Sequence, residues 1–415
     1  MASDIITLFE DTKQKLNLSA AQFQDLLAFK PILKNNFRLD YDGTLEVMHY
    51  VGFLSHGKTK LQILPKIYRK TGVNSAEETR ESIQILYHLL RESEYNKVLE
   101  LPKMEGNNTG LSNILEIFIS IFAKKIINIY STKMNREYVG IEENSAFIKG
   151  KINFPKSMRL NMMRKDLHYI NYQSYEIDNL INNVIKTVAL KLLTVTNHSD
   201  NRKNLKKAMM YLDDAKEIKL SLALFERVIF TRLNMDFKTV FEMAKLFYLN
   251  MQPENYKGDD AVISFLIPVN DLFESYLYKV FASIEGYDVV HEGRRSFAKT
   301  EAGTNILTLK PDILVYKNKK ILYIADAKYK DPEFDGNHYL NIQRNDIYQV
   351  YAYAKAYGLS EVALIYPGFE EVIPSTQNIR ISGMDETVVI KVICVDLKNT
   401  DYEINRNKII TSIFQ

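Results

Sequence analysis

The sequence predicts a multidomain α/β (α+β) protein. Three observations predict it. At 415 residues the chain is long enough for about two or three domains with real cores. Short apolar runs with strand periodicity gather in the first hundred residues and again after residue 260. Between them lie long apolar stretches with helical spacing. The expected division is an N-terminal β-rich domain over 1–103, a mainly helical middle domain over 104–255, and a C-terminal mixed sheet flanked by helices over 256–415.

In the first part, Thr44–Phe53 and Lys60–Lys66 read as strands around a turn at Ser55–Thr59. That turn lies in Gly52-Phe-Leu-Ser-His-Gly57-Lys58-Thr59, which formally matches a phosphate-binding loop. A true loop of that kind leads into a helix whose N-terminus faces phosphate. Here Leu61 and Ile63 alternate and Pro65 follows, so a hairpin turn is expected. The middle part carries helical patterns at Leu111–Lys133 and Glu176–Thr194, interrupted by a short strand pair around Ala146–Phe154. A polar stretch, Gln252–Asp260, reads as the linker into the third part.

The third part holds the chemistry. Pro311-Asp312 opens one apolar run, Lys317-Asn-Lys-Lys320 turns, and a second run ends in Asp326-Ala327-Lys328. The turn makes these runs a hairpin that can bring Asp312 beside Asp326. Period two puts Asp326 and Lys328 on one side, with Leu322 and Ile324 behind them. Two carboxylates suit a hard divalent cation, Mg²⁺ or Mn²⁺, which takes oxygen ligands. The Ala327 carbonyl can add a further ligand. Lys328 can hold an attacking water or steady developing negative charge. Around the hairpin, Asn270–Phe281 reads as a helix carrying Glu274 and Asp346–Lys355 as a helix with Gln349 and Tyr353 on one face. Glu361–Tyr366 reads as another strand.

This order of elements resembles the PD-(D/E)xK nuclease superfamily. The resemblance implies catalytic positions at Glu274, Asp312, Asp326, Lys328 and Gln349, with Tyr353 beside Gln349, and metal ligands at Glu274, Asp312, Asp326 and Ala327. Arg294 and Arg295, on the segment leading to Asp312, are expected to touch the DNA backbone.

Other segments are similar to the McrC family, the nuclease subunit of modification-dependent restriction systems. They are Val51-Gly-Phe-Leu with Leu61-Gln-Ile-Leu-Pro-Lys-Ile67, Phe147-Ile-Lys-Gly-Lys-Ile-Asn-Phe154, and Asp178 with Asn182 and Lys186. Leu272-Phe-Glu274 and Asp326-Ala-Lys-Tyr-Lys330 complete the series, which spans about residues 45 to 366. The resemblance implies a metal-dependent DNA endonuclease acting on double-stranded DNA. It also implies a McrB-like AAA+ GTPase hexamer as partner, bound and stimulated through the N-terminal domain. Two alternatives stay open: an activator or assembly subunit with secondary nuclease activity, and a nucleotide-binding protein acting through Gly52–Thr59.

Composition sets the remaining bounds. Hydrophobic residues at 46% and charged residues at 25% are those of an ordinary soluble chain. A formal charge of +3 is too small to imply nucleic-acid binding by itself, so any basic surface is local. Arg159, Arg164, Lys165, Arg202, Lys203, Lys206 and Lys207 are expected on solvated faces. The lone Cys394 excludes an internal disulfide and a zinc–cysteine cluster, and suits a reducing cytoplasm. No signal peptide or membrane span is expected, because charges break the greasy Ile114–Tyr130 stretch. His168, His291 and His338 show no ligand spacing and read as ordinary histidines.

Overall fold

The computed structural model describes residues 5–57, 59–66, 76–101, 114–250, 263–330, 333–334, 340–368, 376–382 and 387–414. The expected linker Gln252–Asp260, the boundary near Lys103, Lys58 and His338 lie outside them. The chain forms a mixed α/β fold with two compact units. One joins Met1–Ile114 to Pro253–Gln415, and the other is Leu115–Gln252.

In the first unit, β1 (Ile5–Phe9), β2 (Tyr50–His56), β3 (Thr59–Leu64) and β4 (Ile263–Pro268) form one sheet in the order β1-β3-β2-β4. The expected hairpin is present, with Gly52 opposite Ile63 and His56 opposite Thr59. The expected single strand Thr44–Phe53 is broken, because His49 takes a positive φ of 62° between the strands Thr44–Val47 and Tyr50–His56. Strand β4 comes from beyond the second unit in sequence and pairs antiparallel with β2, so the two separate segments of the first unit both build this sheet.

The helix α1 (Val269–Ala282) follows directly. It forms because Val269, Leu272, Phe273, Tyr276, Leu277, Val280 and Phe281 repeat at helical spacing and all are buried. A second, six-stranded sheet then assembles from β5 (Asp288–His291), β6 (Ile313–Lys317), β7 (Lys320–Ala327), β8 (Glu361–Gly368), β9 (Thr376–Ser382) and β10 (Thr387–Asp396). Its order is β5-β6-β7-β8-β10-β9. The β7–β8 and β8–β10 pairs are parallel, and the rest are antiparallel. Between β6 and β7, Asn318 and Lys319 both have positive φ, 51° and 64°. That is the backbone of a two-residue hairpin turn whose twist matches the strands.

The helix α2 (Arg344–Tyr357) precedes β8 and stops at Gly358, left-handed at φ 69°. Its Val350, Tyr353 and Ala354 pack with Leu314, Ile324, Val362, Leu364, Ile390, Val392 and Cys394 in one core. Cys394 is thus a buried packing residue.

In the second unit, the helices Ile114–Thr132, Leu180–Val195 and Lys238–Asn250 bury Phe118, Phe122, Val184, Val188, Leu192 and Phe241. The Leu180 helix starts later than the expected Glu176, because His168–Glu176 is a strand pairing with Glu137–Ser145 and Lys151–Ile152. Asn179 caps the helix, accepting from the Asn182 amide at 3.1 Å. Asn182 is fully buried, and its side chain donates to the carbonyls of Asn135 and Ile177 at 2.8 and 2.7 Å. Lys186 donates to the Asp213 and Ala215 carbonyls, and Asp178 pairs with Lys216 at 2.6 Å. The Asp178/Asn182/Lys186 series therefore latches loops inside this unit. Among the described residues, no helix is long and apolar enough to cross a membrane.

Candidate metal-dependent active site

The hairpin places the carboxylates by register. Ile313 faces Ala325 across β6 and β7, so the next residue outward, Asp312, falls opposite Asp326. One oxygen of Asp312, Oδ2, accepts a 2.7 Å hydrogen bond from the Ala327 amide. Beyond β7 the Lys328 amide donates to the Ile365 carbonyl at 2.8 Å, which ties the lysine's backbone to β8. Lys328 and Asp326 form an ion pair, so period two does put both on one side. Behind them Ile324 is fully buried, whereas Leu322 is 44% exposed, because it is left without a partner at the bulge between the Tyr323 and Ile321 pairs.

Burial makes the site electrostatically uncomfortable. Asp326 is fully buried, and neither of its oxygens has a hydrogen-bond partner among the described residues beyond the Lys328 ion pair. Burial pushes its carboxyl up, against the pull of Lys328. Burial, then the charges of Asp326 and Glu274, push Asp312 up to about 8, with the Ala327 amide and Lys328 opposing. Glu274, on α1, is raised to about 7 by burial and then by Asp271 and Asp326. Burial works to lower the Lys328 ammonium, but Asp326 outweighs it and holds its pKa above the ordinary lysine value. Three carboxyls that repel one another around an under-bonded buried oxygen fit a divalent cation, whose charge removes the repulsion.

The α2 residues close one side. Gln349 Nε2 donates to Tyr353 Oη at 2.7 Å, and Tyr353 donates to the Lys310 carbonyl at 3.0 Å. This fixes the strand end that delivers Asp312. Asp346, also on α2, accepts from Tyr366 at 2.8 Å and pairs with Lys330 at 2.6 Å. Arg295 stacks over the Tyr357 ring at 4.8 Å, and Arg294 is exposed. Both stand at the base of a two-stranded ribbon, Arg295–Lys299 with Asn305–Leu309.

His291, expected as an ordinary partly buried or surface histidine, is partly buried and stands beside two carboxylates. A ligand atom of His291 and carboxylate oxygens of Glu274 and Glu292 all lie within 4.8 Å of one another. These ligands come from a helix and a strand end with no characteristic spacing, so no sequence signal marks them. The phosphate-loop match has a different basis. Gly52, at φ 137°, is needed because a Cβ there would stand 1.9 Å from the Phe265 carbonyl oxygen on β4. Thr59 donates to Asp25 Oδ2 at 2.7 Å, and Gly57 sits against the same carboxylate. A carboxylate packed there opposes a phosphate.

The comparisons agree with this fold. A chain in the refined half-complex from a tetradecameric assembly of Thermococcus gammatolerans McrB AAA+ hexamers with bound McrC is 22% identical, with a TM-score of 0.78. That likeness covers 98% of this chain and 100% of the other, and speaks to fold alone. A chain in the cryo-EM structure of the Thermococcus gammatolerans McrBC complex is 25% identical with a TM-score of 0.55, over 68% of this chain and 88% of that one. No curated protein matches significantly. The model of the McrBC family, the 5-methylcytosine restriction system component, matches residues 45–367. With well over half of its length matched, this chain belongs to the McrBC restriction-system family.

Proposed function

We propose that this chain is the metal-dependent endonuclease subunit of a McrBC-type restriction complex. The observation that carries the proposal is the register that sets Asp312 against Asp326 beside the Lys328 ammonium, with Glu274 facing them. Glu274, Asp312 and Asp326, with the Ala327 carbonyl as a further ligand, would hold Mg²⁺ or Mn²⁺. A divalent cation bound there supplies Lewis-acid charge to the phosphodiester and makes a water more acidic. Lys328, pinned by Asp326, keeps its proton and offsets negative charge developing on the phosphate oxygens. Gln349 and Tyr353 hold the Lys310–Asp312 turn in place. Arg294 and Arg295 contact the backbone of double-stranded DNA, which positions without reading sequence.

The partner is an AAA+ ring, as in the Thermococcus gammatolerans McrB–McrC assemblies. The surface for it is better marked in the second unit than before Lys103. Phe147, Ile148, Phe154, Met158, Leu160, Met162 and Met163 are all more than half exposed, and they follow one another in sequence through the connection before Lys151–Ile152, the helix Phe154–Leu160 and the turn after it. Contiguous exposed apolar surface of this kind marks contact sites.

The test is cleavage of 5-methylcytosine-containing and unmodified DNA, with and without the AAA+ partner, Mg²⁺ and GTP. Cutting that needs the cation and stops in Asp326→Ala is expected. Equal cutting by Asp326→Ala would overturn the assignment.

A further inference from the structure

The group formed by Glu274, His291 and Glu292 is not used by the chemistry above, apart from Glu274. It stands on three supports. His291 ends β5, where it faces Ile313, and Glu292 follows in a left-handed turn at φ 53°. The Glu292 amide donates to the Asp312 carbonyl at 2.8 Å, so the turn is stitched to the residue that delivers the first carboxylate. Across from the turn, α1 packs against β5. Asp271, Glu274 and Tyr278 lie on one face of α1 by their spacing.

Two independent features point to a ligand. First, the donor atoms of Glu274, His291 and Glu292 lie within 4.8 Å of one another. Bonds of roughly 2.1 Å span donors up to about 4.2 Å apart, so a cation needs only a small closure of these side chains. Second, His291 Nε2 is buried without a hydrogen-bond partner among the described residues, while the ring stacks on Tyr278 at 5.0 Å. A buried ring nitrogen without a partner is costly. Stacking fixes the ring plane but leaves that nitrogen unsatisfied.

We propose that Glu274, His291 and Glu292 form a second cation site, adjoining the Asp312/Asp326 site and sharing Glu274 with it, which selects a first-row transition-metal ion over Mg²⁺. The selection follows from donor type. Mg²⁺ prefers all-oxygen shells, whereas imidazole nitrogen favours transition-metal ions. Asp271 adds negative charge near the site, since it interacts electrostatically with both Glu292 and His291. The site is a mixed nitrogen–oxygen one beside an all-oxygen one, with Glu274 able to bridge. The proposal rests on the nuclease reading only for the first cation. The second is defined by its own ligands.

Mn²⁺ is the probe, titrated into the full chain without DNA and followed by calorimetry and by pulsed electron paramagnetic resonance. Wild type is expected to bind two Mn²⁺ per chain, one of them with nitrogen coupling from an imidazole. His291→Ala and Glu292→Gln should each reduce the count to one, and His291→Ala should remove the nitrogen signal. A tenfold excess of Mg²⁺ should displace the ion without nitrogen coupling and spare the other. The nitrogen signal is read in wild type, so a variant that fails to fold leaves the proposal testable. A single Mn²⁺ per chain without nitrogen coupling in the wild type overturns it, as does retention of both ions by folded His291→Ala. Failure of the nuclease reading would show separately, as DNA cutting by Asp326→Ala.

Discussion

The backbone amide of Ala327 donates to Asp312 Oδ2 at 2.7 Å. This bond spans the hairpin end and fixes one Asp312 oxygen in the neck of the sheet, leaving the other for a ligand. It also gives Ala327 a structural role through its amide, in addition to the ligand role proposed for its carbonyl.

The first prediction concerns pH. Asp312 at about 8 and Glu274 at about 7 stand above their ordinary carboxyl values. The folded state thus holds protons that the unfolded state has released. The stability tied to those protons is complete below roughly pH 4 and is lost as pH rises through 7 and 8. The metal-free chain is therefore expected to melt at lower temperature at pH 8 than at pH 6. Mn²⁺ should raise the melting temperature more at pH 8, where Glu274 is mostly charged and Asp312 about half so, than at pH 6, where both are mostly protonated. Scanning calorimetry of wild type and Asp312→Asn checks this. A slope with pH that survives in Asp312→Asn unchanged would count against it.

Lys328→Ala is expected to reduce cleavage by about a hundredfold or more, the scale of losing one electrostatic stabiliser. Lys328→Arg should recover little, since the planar guanidinium does not reproduce a compact ammonium. Rates under single-turnover conditions, with partner binding measured alongside, separate a chemical defect from an assembly defect. Near-normal rates in Lys328→Ala would remove the lysine from the mechanism.

Gly52→Ala tests whether that glycine serves strand pairing. A Cβ placed 1.9 Å from the Phe265 carbonyl oxygen forces β2 and β4 apart, and the positive φ adds strain. The variant should be destabilised by about 3 kcal/mol or more, at the severe end of single substitutions. The intact chain, for its part, should bind neither GTP nor ATP at micromolar concentrations. Nucleotide binding by calorimetry that disappears in Lys58→Ala would restore the phosphate-loop reading.

Replacing Met158, Met162 and Met163 together by Ser should leave the melting temperature within a few degrees, since exposed positions contribute little to stability. Stimulation of the partner's GTP hydrolysis should fall at least tenfold. If GTP turnover is unaffected while a fragment covering the first hundred residues stimulates by itself, the docking surface lies in the N-terminal part instead.

Much was legible in the sequence because it is local. Period-two runs on either side of Lys317–Lys320 define β6 and β7, but a regular hairpin from Lys317 opposite Lys320 would set Asp312 against Ala325; the bulge that skips Leu322, between the Tyr316–Ile321 and Val315–Tyr323 pairs, shifts the register by one and brings Asp312 opposite Asp326. Helical spacing marks α1 and α2, and with them Glu274, Gln349 and Tyr353. Other features belong to contacts between distant segments, which no local period encodes. The need for glycine at Gly52 comes from Phe265, a residue on the other side of the second unit's sequence. Asn182 stands out in the sequence only as part of a motif; its burial follows from the carbonyls of Asn135 and Ile177 converging on its side chain. His291 carries no spacing signal and is joined to Glu274 only when α1 folds over the end of β5. Sequence determines which residues alternate, cap or turn, since those follow from backbone geometry over a few residues. Tertiary structure decides which carboxylates are stripped of water and which side chains share a ligand, since burial and convergence exist only once remote elements have packed.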